Sequence, residues 1–392
     1  MSIKQIHYNI DNINKENALF NLIVGEKSNG KSYQVKHKEG VLHYMENKPK
    51  ILDIKYQEME SLSTEDKEEL LKDAKKGYRF ILLRRWQEDI SNLWIEQYFQ
   101  DVDVAKITDN KYNCITQYRK VLYFSNYSAE TFKTTRGEKI GYVMALSTEQ
   151  HMSGASFLDV DRIIFEEFVE RGSYIPNEPD KLMIFYSTID RKRGTTKLYM
   201  VGNSISKVCP YFSAWGLDGI FRTIKQGEIR TKIIETENTS VKLAVEFCGK
   251  SGGKSVTIGS ASAMIDGGAW QTTPQPKLPK SKNEYYSLFT FGFFYKGFKF
   301  LCDILQDKSK KDNVCFFIYP YFKEFNEKTI VFSDIIKTSP YWQTDIYNMI
   351  NIPNDRLKKI LYTFRECNVF YSDDLCRNRF QAMYKFFNKE MI

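Results

Sequence analysis

Residues 18–24 are largely apolar and stop at Gly25, the pattern of a buried strand feeding a turn. Residues 31–45 then suit a helix. The stretch SLSTEDKEELLKDAKKG (61–77) carries a clearer helix signal, with Ser63 and Asp66 spaced as a capping box and Gly77 placed as a C-cap. Further strand candidates are residues 78–84, 120–126, 140–147, 162–168 and 197–203, and residues 180–194 have helical spacing at Leu182, Met183, Tyr186 and Ile189. Strands alternating with helices predict a mainly parallel sheet with crossover helices, an α/β nucleotide-type domain over residues 1–226.

Past residue 226 the pattern changes to the alternating β-type runs 229–235 and 240–247, glycine-rich GKSGGKS (249–255) and the proline-lysine stretch TTPQPKLPKSKN (272–283). Residues 227–284 are therefore expected to be a linker region. A C-terminal domain over 285–392 would open with a hairpin about Lys296 and Gly297, continue with a strand at 314–322, and end in basic amphipathic helices at 354–367 and 374–390. Its class is α+β.

Composition narrows the setting. The chain has 392 residues, 42% of them hydrophobic, enough for two cores. It contains no apolar run of about 18 residues and no apolar leader, so neither a membrane span nor secretion is expected. Seven cysteines, never arranged as CxxC, point to free thiols, and four histidines, all before residue 152, argue against a zinc site. A net charge of +8 favours a polyanionic partner without proving one.

The chemistry centres on Gly25, Glu26, Lys27, Ser28, Asn29, Gly30, Lys31 and Ser32, which fit GxxxxGK[ST] at the junction of an apolar strand and a helix. There successive backbone N–H groups can wrap a triphosphate at the helix N-terminus, Lys31 can reach its β and γ oxygens, and Ser32 can hold Mg²⁺. A second acidic site at a neighbouring strand end is needed, and IIFEE (163–167) supplies it: Glu166 toward the metal and Glu167 as the water-activating base. Glu166 is one methylene longer than the usual aspartate. The nearest approach to a guanine-reading NKxD is Asn110-Lys111-Tyr112-Asn113, which lacks the aspartate, so ATP is the expected nucleotide. Asn203, at the end of the strand candidate 197–203, is placed like a γ-phosphate sensor; a plain turn asparagine fits as well. Arg191 and Arg193 could reach a neighbouring subunit's phosphates, or could simply be cations favoured at a helix C-terminus. GKSGGKS fails the motif spacing, because Cys248 stands five residues before Gly253.

Four ordered blocks, GEKSNGKS (25–32), FILLRRWQEDI (80–90), GYVMALSTEQHMSGASFLDVDRIIFEEF (141–168) and TIDRKRGTTKLYMVGNSISKVCPYF (188–212), resemble the genome-packaging ATPases of phi-29-like tailed phages, relatives of the large terminase ATPases. The resemblance covers roughly residues 18–215. It implies a RecA-like P-loop ATPase domain of the ASCE type, a linker and an RNase H-like C-terminal domain. It further implies a homo-oligomeric ring, a pentamer, docked on the portal of a procapsid in the host cytoplasm and threading double-stranded DNA. A structural RNA is a further candidate partner. Carried onto this sequence, it gives Lys31, Ser32, Glu166 and Glu167 the roles above, makes Arg193 or Arg191 the trans-acting finger, and puts Arg84 and Arg85 near the nucleotide. A two-metal nuclease needs clustered carboxylates starting on its first strand. The candidate strand 287–295 has none, and Asp303, Asp334, Asp373 and Asp374 are scattered, so a nuclease-like fold without cleavage is expected. Two alternatives stay open: a terminase that also cuts DNA, and a nucleotide-dependent switch or scaffold with little turnover.

Overall fold

The computed structural model describes residues 8–52, 62–73, 77–152, 154–170, 174–204, 209–236, 239–250, 278–295, 297–310, 313–333, 341–343, 369–373, 376–377 and 380. The chain divides into two compact units, residues 1–271 and 272–392.

In the first unit nine strands form one sheet. They are β1 Phe20–Gly25, β2 Arg79–Arg84, β3 Cys114–Tyr118, β4 Val121–Ser128, β5 Lys133–Ala145, β6 Val160–Glu166, β7 Lys197–Asn203, β8 Ile229–Glu235 and β9 Ser240–Phe247. Their order is β3-β4-β5-β2-β6-β7-β1-β9-β8. The central strands β5, β2, β6, β7, β1 and β9 pair in parallel, and antiparallel pairs flank them at both edges. Parallel strands are covered on both faces, which is why β1 and β2 read as continuous apolar runs and are buried almost throughout. One face packs against Val35, Val41 and Tyr44 of the helical stretch after β1. The other packs against Leu182, Phe185 and Ile189 of the helix Glu178–Asp190. The carboxyl ends of the parallel strands, where open α/β sheets bind ligands, thus lie along one edge.

Three elements differ from the sequence reading. Residues 229–235 and 240–247 are strands as expected, yet they belong to the large sheet and not to a linker: β9 pairs with β1 in the register Phe20↔Leu243 through Val24↔Phe247. That contact spans more than two hundred residues, so local alternation could not reveal it. Residues 133–139 form the largely exposed first half of β5, ahead of the strand candidate at 140–147. Strand β3 and the helix Asn92–Phe99 were not foreseen. The β3–β4 turn is made by Arg119 and Lys120, both at positive φ (49° and 66°), without the asparagine or glycine that usually marks such a turn.

The stretch after β1 is α-helical at Lys31–Gln34 and His43–Asn47, with π-helical winding between them at Val35–Leu42. The wider turn turns two charged side chains inward: Lys36 and Glu39 are both buried, Glu39 bonding Arg162 Nε at 3.2 Å and Asn14 Nδ2 at 2.6 Å. Such winding recurs at functional sites.

In the second unit β10 Tyr285–Tyr295, β11 Phe298–Asp307, β12 Val314–Pro320, β13 Val331–Ser333, β14 Trp342–Gln343 and β15 Val369–Tyr371 form a sheet in the order β14-β13-β10-β11-β12-β15. The expected hairpin is present, with Gly297 at φ 80°. Phe291, Phe293, Phe300, Phe316 and Phe332 fill its core. Asp303 bonds Thr290 Oγ1 and Lys282 Nζ, both at 2.6 Å, and Asp307 bonds Lys280 Nζ at 2.7 Å. The helix expected at 354–367, most of that at 374–390, Asp334, Asp374, residues 251–255 and residues 272–277 lie outside the described residues. The six described cysteines are free thiols.

Candidate active site

β1 ends at Gly25 and the helix begins at Lys31, so the five residues between them must turn the chain through a tight loop. Two glycines make this feasible. A Cβ on Gly25 would stand 2.7 Å from Cys248 Cβ and 2.9 Å from Asn29 Nδ2, and Gly30 sits at φ 88°. Ser28 is also left-handed, at φ 63°. Successive N–H groups in such a loop form an anion-binding concavity at a helix start.

Lys31 folds back over this loop. Its Nζ donates to Glu26 O at 2.8 Å and to Asn203 Oδ1 at 2.7 Å. Burial lowers its pKa, against the opposing pull of Glu166, Glu26 and Glu167. Asn203 reaches it because β7 lies between β1 and β6. The Ser32 hydroxyl donates to Glu166 Oε2 at 3.1 Å, and Tyr98 OH donates to Glu166 Oε1 at 2.7 Å. Glu166 is 4% exposed, and burial raises its pKa.

Glu167 differs in every respect. It leaves β6 at φ 58°, a left-handed conformation that costs a non-glycine residue roughly 1–3 kcal/mol, and its side chain is 53% exposed. Arg84 Nη2 donates to Glu167 Oε2 at 2.9 Å and to Asp89 Oδ2 at 3.3 Å, while its guanidinium lies 4.8 Å from the ring centre of Trp94. Arg85, beside it, is committed elsewhere. Its Nε bonds both carboxylate oxygens of Glu178 (3.1 and 2.8 Å), Nη1 donates to Glu167 O at 3.1 Å, and Nη2 donates to Phe168 O at 2.8 Å. Arg85 is 3% exposed, so it holds the turn that carries Glu167 and has no donor directed to the loop. Only Arg84 of the pair stands beside the acids.

Arg191 and Arg193 lie at the opposite edge, between the helix Glu178–Asp190 and β7. Arg193 is spent on its own chain, donating to Asp190 O (3.0 Å), Leu158 O (2.9 Å), Ile189 O (3.0 Å) and Val160 O. Arg191 is exposed, with one Nη on Ala155 O at 2.7 Å.

The residues present fit a Mg²⁺ triphosphate. A hydroxyl and a carboxylate 3.1 Å apart are hard oxygen donors of the kind Mg²⁺ takes, and Mg²⁺ needs few protein ligands because it keeps several waters. Among the described residues there is no group of three or more His, Cys, Asp or Glu side chains that could hold a metal ion. Of the residues named from the sequence, Lys31, Ser32, Glu166, Glu167 and Asn203 are gathered by the fold along one sheet edge. Tyr98 and Glu178, which reach the site through contacts 68 and 93 residues away in sequence, and Trp94, which meets it through Arg84, carry no local signature and were not named.

Residues 66–224 match the family described as podovirus DNA encapsidation protein (Gp16). The chain is also similar to phage DNA packaging proteins. That of Bacillus phage phi29 is 24% identical over 217 residues, 55% of this chain and 51% of the relative. That of Bacillus phage B103 is 27% identical over 152 residues, 36% of this chain and 40% of the relative. The chain therefore matches about half the length of these curated relatives or less. Among solved structures, a chain of the bacteriophage Phi-29 viral genome packaging motor assembly aligns with a TM-score of 0.56 over 97% of this chain and 99% of its own, at 16% identity. This shows a shared mixed α/β fold.

Proposed function

We propose that this chain is the ATP-hydrolysing subunit of a motor that moves double-stranded DNA into a phage procapsid. The observation that carries the reading is the convergence of Lys31, Ser32, Glu166, Glu167 and Asn203 at the carboxyl edge of one sheet. Insertion of β7 between the loop strand β1 and the acidic strand β6 supports a RecA-like ASCE domain, with its sensor Asn203 between loop and acids. In the second unit the antiparallel run β10-β11-β12, extended by β13 and β14 in parallel, supports an RNase H-like descent. The lysine pairing of Asp303 and Asp307 fits loss of its nuclease chemistry. We take the ATPase domain to run through β9 and the C-terminal domain to begin near residue 278.

Lys31 would neutralise the β and γ oxygens, and Ser32 with Glu166 would hold Mg²⁺. When bound, Mg²⁺ supplies Lewis-acid stabilisation of the charge on the transferring phosphoryl group. Glu167 orients a water and accepts its proton. Arg84 holds Glu167 Oε2 through a hydrogen bond, so the pair must part before that oxygen can accept a proton from water. A pentameric ring docked on a portal in the host cytoplasm, and a structural RNA partner, rest on the kinship to the phage packaging proteins. Among the described residues no helix is long and apolar enough to cross a membrane.

The decisive experiment measures ATP hydrolysis with and without double-stranded DNA. DNA should raise the rate several-fold, and Lys31→Ala should cut it by at least ~10²-fold, the usual cost of removing one group that stabilises transition-state charge. A rate indifferent to DNA would favour a nucleotide switch and overturn the motor reading. A trans-acting arginine must be free to leave its own chain, which favours Arg191 over Arg193. In mixed assemblies, Arg191→Ala subunits should therefore depress hydrolysis by wild-type neighbours. Arg193→Ala should mainly lower the melting temperature. The reverse pattern would reassign the finger.

A further inference from the structure

The helix Asn92–Phe99 touches three parts of the site at once. Tyr98 OH donates to Glu166 Oε1 at 2.7 Å, on the opposite oxygen from the one that Ser32 occupies. One turn earlier, Trp94 stacks on Tyr98 with ring centres 5.0 Å apart at 25°, and its other neighbour is the Arg84 guanidinium that bonds Glu167. From the far side Lys36, in the π-helical stretch after the loop, lies 4.6 Å from the centre of the Tyr98 ring. Its Nζ bonds Tyr98 O and Asp101 Oδ1, where a cation is favoured at a helix C-terminus. The helix itself starts firmly, with Ser91 Oγ accepting from Trp94 N at 3.1 Å.

We propose that Tyr98 is a positioning residue that sets the orientation of Glu166 toward Mg²⁺, and that its helix ties this carboxylate to the Arg84–Glu167 pair. A glutamate has one more rotatable bond than the aspartate usual at this position, so its carboxylate needs an external constraint to hold one orientation. Two hydrogen bonds, one to each oxygen, supply it. Because Trp94 and Tyr98 are four residues apart on one helical face, a shift of the helix moves the support of both acids together. The inference rests on the Mg²⁺-nucleotide reading of the site.

Fluorescence titration with mant-ADP tests it. Wild-type protein should bind mant-ADP more tightly with Mg²⁺ than with EDTA. Tyr98→Phe keeps the ring stack and removes one hydroxyl; it should bind equally in EDTA and lose about tenfold of the tightening by Mg²⁺, the lower range for removing a partner of a metal ligand. Its melting temperature should stay close to that of wild type. Trp94→Leu tests the second half: it should keep the Mg²⁺ tightening and lower the hydrolysis rate several-fold. Coincident Mg²⁺ dependence for Tyr98→Phe and wild type overturns the role of Tyr98, and an unchanged rate for Trp94→Leu overturns the tie to Arg84. Failure of the underlying reading would look different, since wild-type protein itself would then bind mant-ADP no better with Mg²⁺ than without.

Discussion

Glu167→Gln is expected to slow ATP hydrolysis by about 10²–10⁴-fold, the contribution of a positioned general base, while leaving nucleotide affinity near that of wild type. The separation of the two effects follows from the geometry. Glu166 is buried and bonded to Ser32 on the loop helix, whereas Glu167 is half exposed, turned out of the strand at φ 58° and bonded to Arg84. The amide keeps the size and much of the hydrogen bonding of the acid but cannot take a proton from water. Rapid-quench hydrolysis combined with equilibrium nucleotide binding measures both quantities. A Glu167→Gln protein that hydrolyses ATP at the wild-type rate would remove this residue from the reaction.

The second large effect is on stability. Arg85→Leu should cost about 3–5 kcal/mol of unfolding free energy, read from a urea or guanidinium transition, because it leaves Glu178 as an unpaired buried charge. Glu178 is buried completely on its side chain and also accepts from Ile175 N and Tyr211 OH, both at 2.8 Å. Replacing both partners by methionine should recover part of the loss and no more, since those two donors would then lack their acceptor. Hydrolysis should fall as well if Glu167 is the base, because Arg85 bonds Glu167 O and Phe168 O and so holds the left-handed turn that presents Glu167. A loss below about 1 kcal/mol, the scale of an exposed ion pair, would contradict this account.

The sequence revealed most where structure is local. Strands β7, β8 and β9 have the boundaries expected from their apolar runs, and Gly25 to Ser32 form a loop between strand and helix because glycine spacing and a strand end are encoded within a few residues. Legibility fell where long-range pairing decides. The parallel partnership of β9 with β1 moved a supposed linker into the main sheet, and the edge strand β3 escaped notice because a turn of Arg119 and Lys120 lacks the usual residues. The site follows the same division. Its charged residues could be named from motif and order, but Arg84 and Arg85, adjacent and chemically identical, differ only in the direction of their side chains. Alternation along a strand end gave one to the acids and the other to Glu178, and no property of either residue foretells which.

Arg193 gives the sheet a mechanical property. It grips the carbonyls of Leu158 and Val160, where β6 begins, while Glu166 ends that same strand. Its seven residues of extended chain span about 20 Å and are braced by neighbours on both sides, so the strand behaves as a stiff rod. The loop bearing the exposed Arg191 is fastened to one end of this rod, and Glu166 stands at the other. Under the proposed motor reading, a displacement of the backbone at Glu166 along β6 would be carried to the edge at which the exposed Arg191 lies.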